Sequence, residues 1–362
     1  PMEIVEIRCQ TPGEVAAAMR ELRIRGAPVL GQVAAYGLWQ AAEAQRQAAE
    51  AQRQTAVGNL APDAGAPGPA VPVPASSTAI PAAAEAFRSA RPGVAPLRRA
   101  VARALAAWQA VGGDQAAPEV VADRLKAEAD AIAMEALLGQ ARLGRTGAAA
   151  LPRPRAVGGR VRILTIDETG ALAGGTVGTA LGVVTTAAAE GRALEVIVAE
   201  TRPSLTGARL AAWELALAGV PYRVVADGAA AGLIAAGDVD IVLVGAEAVA
   251  ADGAALAPAG TYPLALAAAR AGVPFVVCTG SEAIDPDLAG AAELRPELRR
   301  LVAGSLAEPD SLSGPAADDT SLAAQPLHDI TPPDLISAFV TDEGLLHPPY
   351  GQAFAGLAWP AR

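Results

Sequence analysis

The sequence is short of the side chains that anchor most redox, metal and covalent chemistry. It has two cysteines, Cys9 and Cys278, which supply neither a disulfide framework nor the CxxC spacing of a metal site. Cys278 ends an apolar, strand-like run and is expected to be a buried core thiol. The single lysine, Lys126, stands among Arg124, Glu128 and Asp130, so a solvated helix face is expected there rather than a Schiff-base amine. The two histidines, His328 and His347, sit beside prolines or loops near the C-terminus and give little support to a histidine metal site or a Ser-His-Asp triad. No apolar run reaches the ~18 residues of a membrane span, and no signal-peptide pattern opens the chain, so a cytoplasmic protein without a membrane partner is expected. A formal net charge of −10 argues against a broad nucleic-acid footprint. Neither a metal nor an organic cofactor is expected.

What is present is alanine-rich apolar sequence, 52% hydrophobic but only 3% aromatic, over 362 residues, enough for two domains with their own cores. The pattern centres on residues 161–184, VRILTIDETGALAGGTVGTALGVV. A short β-branched run, 161–164, reads as a buried strand. Two adjacent carboxylates follow, Asp167 and Glu168, then Gly170, Gly174, Gly175 and Gly178, then an apolar run of helical character. Strand, glycine loop and helix form a geometry that can aim backbone N–H groups at an anion, although an ordinary βα turn has the same outline. Neither GxGxxG nor a GK[ST] ending is present, so a nucleotide is not the first expectation.

Upstream, residues 3–8 alternate like an edge strand. Thr11, Pro12 and Glu14 form an N-cap, a first-turn proline and a capping-box acid for a helix reaching about Arg25. The turn Arg25-Gly26-Ala27-Pro28 holds an arginine suited to a phosphate or carboxylate, or to a plain salt bridge, ahead of a helix over 29–54. That helix contains an exact AAEAQRQ duplication, too short for a solenoid. Residues 55–81 are rich in Pro, Ala and Gly and bury too little surface to offset ordering entropy, so they are expected to be a disordered insertion. Helices are expected over 97–111 and 118–138, and residues 144–159 read as a linker. The chain then divides into a mainly helical N-terminal domain, 1–150, and a C-terminal domain, 151–362.

In the second part, strands at 161–164, 195–199, 222–226, 241–244 and 274–278 alternate with helices at 179–190, 207–218, 228–236 and 264–271. This is the signature of a parallel sheet covered on both faces, with ligands beyond the carboxyl ends of its strands. Those ends carry four acids, Asp167, Glu200, Asp227 and Glu247. Residues 308–326 form a second, polar insertion.

IRGAPVLG at Ile24, GTALGVV at Gly178, ETRPSLTGARLAAWEL at Glu200, VDIVLVGAE at Val239, GTYPLALAA at Gly260 and DITPPDLISAFVTDEG at Asp329 together resemble methylthioribose-1-phosphate isomerases. The wider group includes ribose-1,5-bisphosphate isomerase and regulatory subunits of the eukaryotic initiation-factor exchange factor. The resemblance implies an α/β protein with a Rossmann-like parallel-sheet C-terminal domain and a smaller helical N-terminal domain. It also implies a homodimer, joined largely through the C-terminal domain, and a small sugar phosphate as the ligand. Family isomerases use a cysteine and an aspartate as proton-handling groups, and here those positions hold Asp167 and Glu247. The arginine that follows the aspartate is Ala248, an Asn-Lys pair is Ala257-Pro258, and a substrate-contacting glutamine is Thr206. Arg25 and Arg91 match family arginines, and Gly26, Ala27 and Glu168 complete the expected substrate site.

Loss of two cations beside three carboxylates works against a phosphate dianion. Three readings follow. Asp167 and Glu247 perform the isomerisation as a carboxylate pair with separated pKa values. Alternatively the protein is a non-catalytic paralogue, a sugar-phosphate sensor or assembly subunit. In the third, the acidic cleft takes a divalent cation and a different substrate.

Overall fold

A computed structural model describes residues 6–58, 79–295 and 327–357. Helix α1, Pro12–Arg20, opens with the expected capping box: the Thr11 hydroxyl accepts the Glu14 N–H while the Glu14 carboxylate accepts the Thr11 N–H. Residues 6–10 have no regular structure, and residues 3–5 of the expected edge strand lie outside the described residues.

Long helices follow: α2 (Ala27–Gly58), α3 (Ala79–Ala90), α4 (Ala95–Ala110) and α5 (Pro118–Ala150). They bury Met19, Leu30, Leu38, Ile80, Phe87, Leu97, Val101 and Leu125 in one shared core. Helix therefore extends over 55–58 and 79–81, inside the stretch expected to be disordered, and the rest of that stretch lies outside the described residues. The polar insertion over 308–326 also lies outside them. Lys126 is on the helix surface, paired with Asp130 at 2.6 Å and seated over the Tyr36 and Trp39 rings.

The expected end near 138 is corrected: α5 continues to Ala150, into the stretch taken for a linker. Gly144 and Gly147 are there for close packing, not for bending. A Cβ on Gly147 would stand 2.3 Å from Val183, and one on Gly144 would stand 2.6 Å from the Thr186 hydroxyl. Both partners are on α7 (Ala180–Ala189), so α5 runs from the helical core onto the sheet.

The main sheet contains β1 (Val161–Ile166), β2 (Leu194–Ala199), β3 (Tyr222–Val225), β4 (Ile241–Val244), β7 (Phe275–Cys278), β10 (Ala338–Thr341) and β11 (Gly344–Leu346), in the order β11-β10-β7-β4-β1-β2-β3. All neighbours are parallel except β10 and β11. The five expected strands are all present, and β10 and β11 extend the sheet at one edge. Alternate residues of each central strand face opposite cores. Leu164, Ile197, Val242 and Phe275 point one way, and Ile163, Val196, Leu243 and Cys278 the other, so both faces are covered. Cys278 is buried, and desolvation pushes its thiol up, as expected for a core cysteine.

A smaller sheet, absent from the sequence reading, pairs β5 (Ala248–Ala250), β6 (Ala255–Pro258), β8 (Ile284–Asp285) and β9 (His328–Thr331) in the order β8-β5-β6-β9. Its Ala248, Ala250 and Leu256, with Ala254 of the turn between β5 and β6, join the helical core. The remaining helices are α6 (Ala171–Gly174), α8 (Ala212–Leu217, preceded by a π-turn), α9 (Asp227–Ala235), α10 (Thr261–Ala271) and α11 (Tyr350–Ala355). Among the described residues no helix is long and apolar enough to cross a membrane.

Candidate functional site

Strand order reverses at β1. The chain proceeds to β2 and β3 on one side, then crosses to β4 on the other. Such a switch point leaves a crevice beyond the carboxyl ends of the two central strands. Asp167 and Glu168 directly follow β1, and Gly245-Ala246-Glu247 directly follow β4.

Two adjoining lobes occupy this crevice and share Gly26, Asp167, Glu168, Glu247 and Pro258. The polar lobe adds Arg25, Arg91, Arg202, Thr206 and His328. The other adds small or apolar groups, including Ala27, Pro28, Ile166, Ala173, Ala246 and Ala283. Every residue marked in the sequence therefore lines one lobe or both: Asp167, Glu247, Arg25, Gly26, Ala27, Arg91, Glu168 and Thr206. Sequence reasoning missed Arg202 and His328. His328 pairs with Pro258 across β6 and β9, and only that register carries it into the crevice.

Local backbone is unusual here. The non-glycine residues with positive φ among those described are Leu22, Asp167, Thr201 and Leu205, and the first three line the polar lobe. Asp167, at φ 67°, donates its N–H to the Thr201 hydroxyl at 2.8 Å, and its Oδ1 accepts the Thr206 hydroxyl. Asp227 accepts the Thr201 and Arg202 N–H groups at 2.8 and 2.7 Å, holding that loop over the crevice. Of the four strand-end acids, then, two line the crevice, Asp227 is a clamp, and Glu200 lines neither lobe.

Burial sets the electrostatics. Glu168 is held well above the usual carboxylate range, first by desolvation and then by the charge of Asp167 and a hydrogen bond with it; Arg25 works the other way. Glu247 is likewise raised by burial, opposed by Arg91 and reinforced by Asp167. Arg91 Nη2 lies 4.0 Å from Glu247 Oε1, a loose pairing for a guanidinium only 8% exposed. His328 Nε2 lies 3.9 Å from the same oxygen, and burial, then Arg91, depress its imidazole to about 4. Glu168 Oε2, Glu247 Oε2 and His328 Nδ1 are buried without a hydrogen-bond partner among the described residues. Among those residues no three His, Cys, Asp or Glu side chains converge as a cation cage.

Several amides of the glycine loop are engaged by protein groups, which favours the ordinary βα-turn reading of that stretch. Glu214 accepts the Ala171 and Leu172 N–H groups at 2.6 and 3.2 Å. Gln140 Oε1 accepts those of Val177 and Gly178 at 3.1 and 2.7 Å. Gly26 is pressed against the loop: with φ 85°, its Cβ position would lie 2.3 Å from the Ala173 carbonyl oxygen.

The chain matches the Initiation factor 2 subunit family over residues 23–348. It is 37% identical over 357 residues to methylthioribose-1-phosphate isomerase of Chloroflexus aurantiacus, covering 98% of this chain and 92% of that protein. It is 38% identical over 351 residues to the isomerase of Alkalilimnicola ehrlichii, covering 96% and 89%. Among solved structures, 5-methylthioribose 1-phosphate isomerase from Pyrococcus horikoshii superposes with a TM-score of 0.71 at 26% identity, covering 95% of this chain and 86% of that one. The delta subunit of translation initiation factor eIF-2B from A. fulgidus gives 0.67 at 28% identity, covering 98% and 92%. The chain thus belongs to the methylthioribose-1-phosphate isomerase family, within the wider initiation factor 2 subunit family.

Proposed function

We propose that the crevice binds a 1-phosphorylated pentose and that Asp167 and Glu247 carry out its aldose–ketose isomerisation. The observation that carries this is the polar lobe itself. A nearly buried Arg91, beside Arg25, makes no side-chain hydrogen bond among the described residues and faces two acids with an unpartnered oxygen each. A guanidinium so placed is matched to an incoming phosphate. The neighbouring apolar lobe suits a small alkylthio substituent at the other end of the sugar.

In such a substrate the anomeric oxygen is blocked by phosphate, so the ring C1–O bond must break. The ring oxygen gains a proton, the hydrogen on C2 moves to C1, and O2 loses its proton as the ketone forms. No atom enters or leaves. Glu247, whose carboxyl burial pushes up toward the protonated form, serves as the acid. Asp167, whose Oδ1 already accepts a hydroxyl hydrogen bond from Thr206, serves as the acceptor. The left-handed backbone at Asp167 and Thr201 supports a functional role, since strained residues persist where the surroundings over-determine them. We further propose that residues 1–150 and 151–362 are separate domains flanking the crevice, and that the chain is a homodimer, which analytical ultracentrifugation tests.

Turnover of methylthioribose-1-phosphate is expected, with a bell-shaped pH profile and a loss of about 10² or more in kcat/KM for Asp167→Asn and for Glu247→Gln. An inactive parent protein that still binds the sugar phosphate would assign a sensor or assembly role instead. Activity appearing in the Asp167→Cys, Glu247→Asp double variant of an inactive parent would place the loss at these two residues. Turnover that survives both single substitutions would refute the site.

A further inference from the structure

His328 is the one basic group in the crevice that the family pattern did not supply. It stands on β9, a strand fixed by pairing to β6, and its neighbour Asp329 accepts the Gly260 and Tyr262 N–H groups at the start of α10. The ring is therefore held at a defined place. It is only 7% exposed and lines the polar lobe. Nδ1 makes no hydrogen bond among the described residues, and Nε2 stops 3.9 Å short of Glu247. A buried imidazole whose Nδ1 has no hydrogen-bond partner among the described residues, in a lobe with three arginines, is matched to an anion.

We propose that His328 completes the phosphate subsite with Arg25 and Arg91 by taking up a proton as a phosphate monoester dianion enters. The inference rests on the sugar-phosphate reading only to the extent that a dianion occupies the polar lobe. It holds for an isomerase and for a sensor alike.

The charge balance explains the arrangement. With no anion present, a protonated His328 would be a further cation enclosed with Arg25, Arg91 and Arg202, and burial, then the like charge of Arg91, depress the imidazole to about 4. A dianion reverses the sign of the local field, and a hydrogen bond from the imidazolium to a phosphate oxygen adds to the effect. The groups facing His328 across the lobe are Arg25 ahead of α2, Arg91 between α3 and α4, Asp167 and Glu168 after β1, Arg202 after β2, and Glu247 after β4. Of these, Glu168 and Glu247 also titrate upward and could take up the proton instead. The test must separate them from the imidazole.

Sulfate is the useful probe, because it stays a dianion throughout the neutral range and any pH dependence belongs to the protein. Because the chain has two histidines, His347→Asn assigns the imidazole resonances without touching the crevice. The His328 signal of the intact protein is expected to stay neutral from about pH 8 to pH 5 alone, and to titrate above about pH 6 with saturating sulfate. Sulfate affinity, measured by calorimetry, is expected to fall by up to about tenfold per pH unit on the alkaline side, and His328→Phe should flatten that slope by close to one proton. His328→Gln, which keeps polarity without the charge, should behave like the Phe variant. An imidazole signal unmoved by sulfate, or an unchanged slope in both variants, would overturn the proposal and assign the proton to Glu168 or Glu247. Should neither sulfate nor methylthioribose-1-phosphate bind at any pH, the sugar-phosphate reading falls and this inference with it.

Discussion

Replacing Gln140 tests how the fold holds the carboxylate-bearing loop in place. Gln140 is 5% exposed on α5 and makes four hydrogen bonds to one stretch of the glycine loop. Its Nε2 donates to the Gly174 carbonyl at 2.7 Å, while Oε1 accepts from the Thr176 hydroxyl at 2.8 Å and from the Val177 and Gly178 amides at 3.1 and 2.7 Å. Gln140→Leu conserves volume and removes all four. The Gly174 carbonyl keeps a second donor, Gln32 Nε2 at 2.8 Å, and the Thr176 hydroxyl can rotate, so the cost concentrates on the two amides. Each amide left without a partner costs about 1–3 kcal/mol, giving roughly 2–6 kcal/mol for the two, a large part of a typical domain's stability. Urea unfolding followed by circular dichroism measures the sum, and hydrogen exchange at Val177 and Gly178 locates it. A loss below about 1 kcal/mol, or amides that stay protected in the variant, would refute the assignment of Gln140 as the clamp of this loop.

Gly26→Ala is expected to cost about 2–3 kcal/mol or to prevent folding, because its φ of 85° is combined with backbone atoms of Ala173 within 2.4 Å of the added carbon; a Tm within a degree or two of the parent would contradict that packing. Glu282→Gln probes a buried acid away from the crevice: the residue is partly exposed but its carboxyl is enclosed, and burial with Asp342 nearby raises it from 4.5 to about 7. A raised pKa means the folded state holds the proton more tightly, so its contribution is present below about pH 4.5 and is lost as pH rises through about 7. The variant should gain up to roughly 3 kcal/mol over the parent between those limits, and a pH-independent difference in Tm would be the contrary result.

The parallel sheet was legible because its central strands are continuous apolar runs, which only a sheet covered on both faces requires. The last turns of α5 were not, since Gly144 and Gly147 read as breakers until α7 is seen against them. The small sheet escaped for a different reason. Its strands run to only two to four residues, and β5 and β6 are rich in alanine, so neither β-propensity nor period marks them. At the site, the residues adjoining strand ends and the Arg25 turn could be read from the linear pattern. His328 could not: it reaches the crevice only through the register of β9 against β6, after a long intervening segment. For the glycine loop the sequence left both an anion cradle and an ordinary βα turn open, because composition shows how many amides a loop offers, whereas Gln140 and Glu214, distant in sequence, engage four of them.

The same distinction bears on the charge argument that made a phosphate ligand look unfavourable. Counting residues gives three carboxylates against the arginines of the lobe. Burial changes the count, because desolvation favours the protonated form of Glu168 and Glu247, so the lobe meets a dianion with less negative charge than its composition implies. The carboxyls of Asp167 and Glu247 therefore need not exclude a phosphate from the lobe. They make its binding depend on protons. An anion favours the protonated carboxyls just as protonation favours the anion, and this reciprocity follows from linkage alone. A pocket with fixed lysine and arginine partners would hold its ligand over a wide pH range. On the proposed reading, ionisation of Glu168 and Glu247 adds to loss of the His328 proton in weakening anion binding as pH rises, while Arg25, Arg91 and Arg202 stay charged throughout.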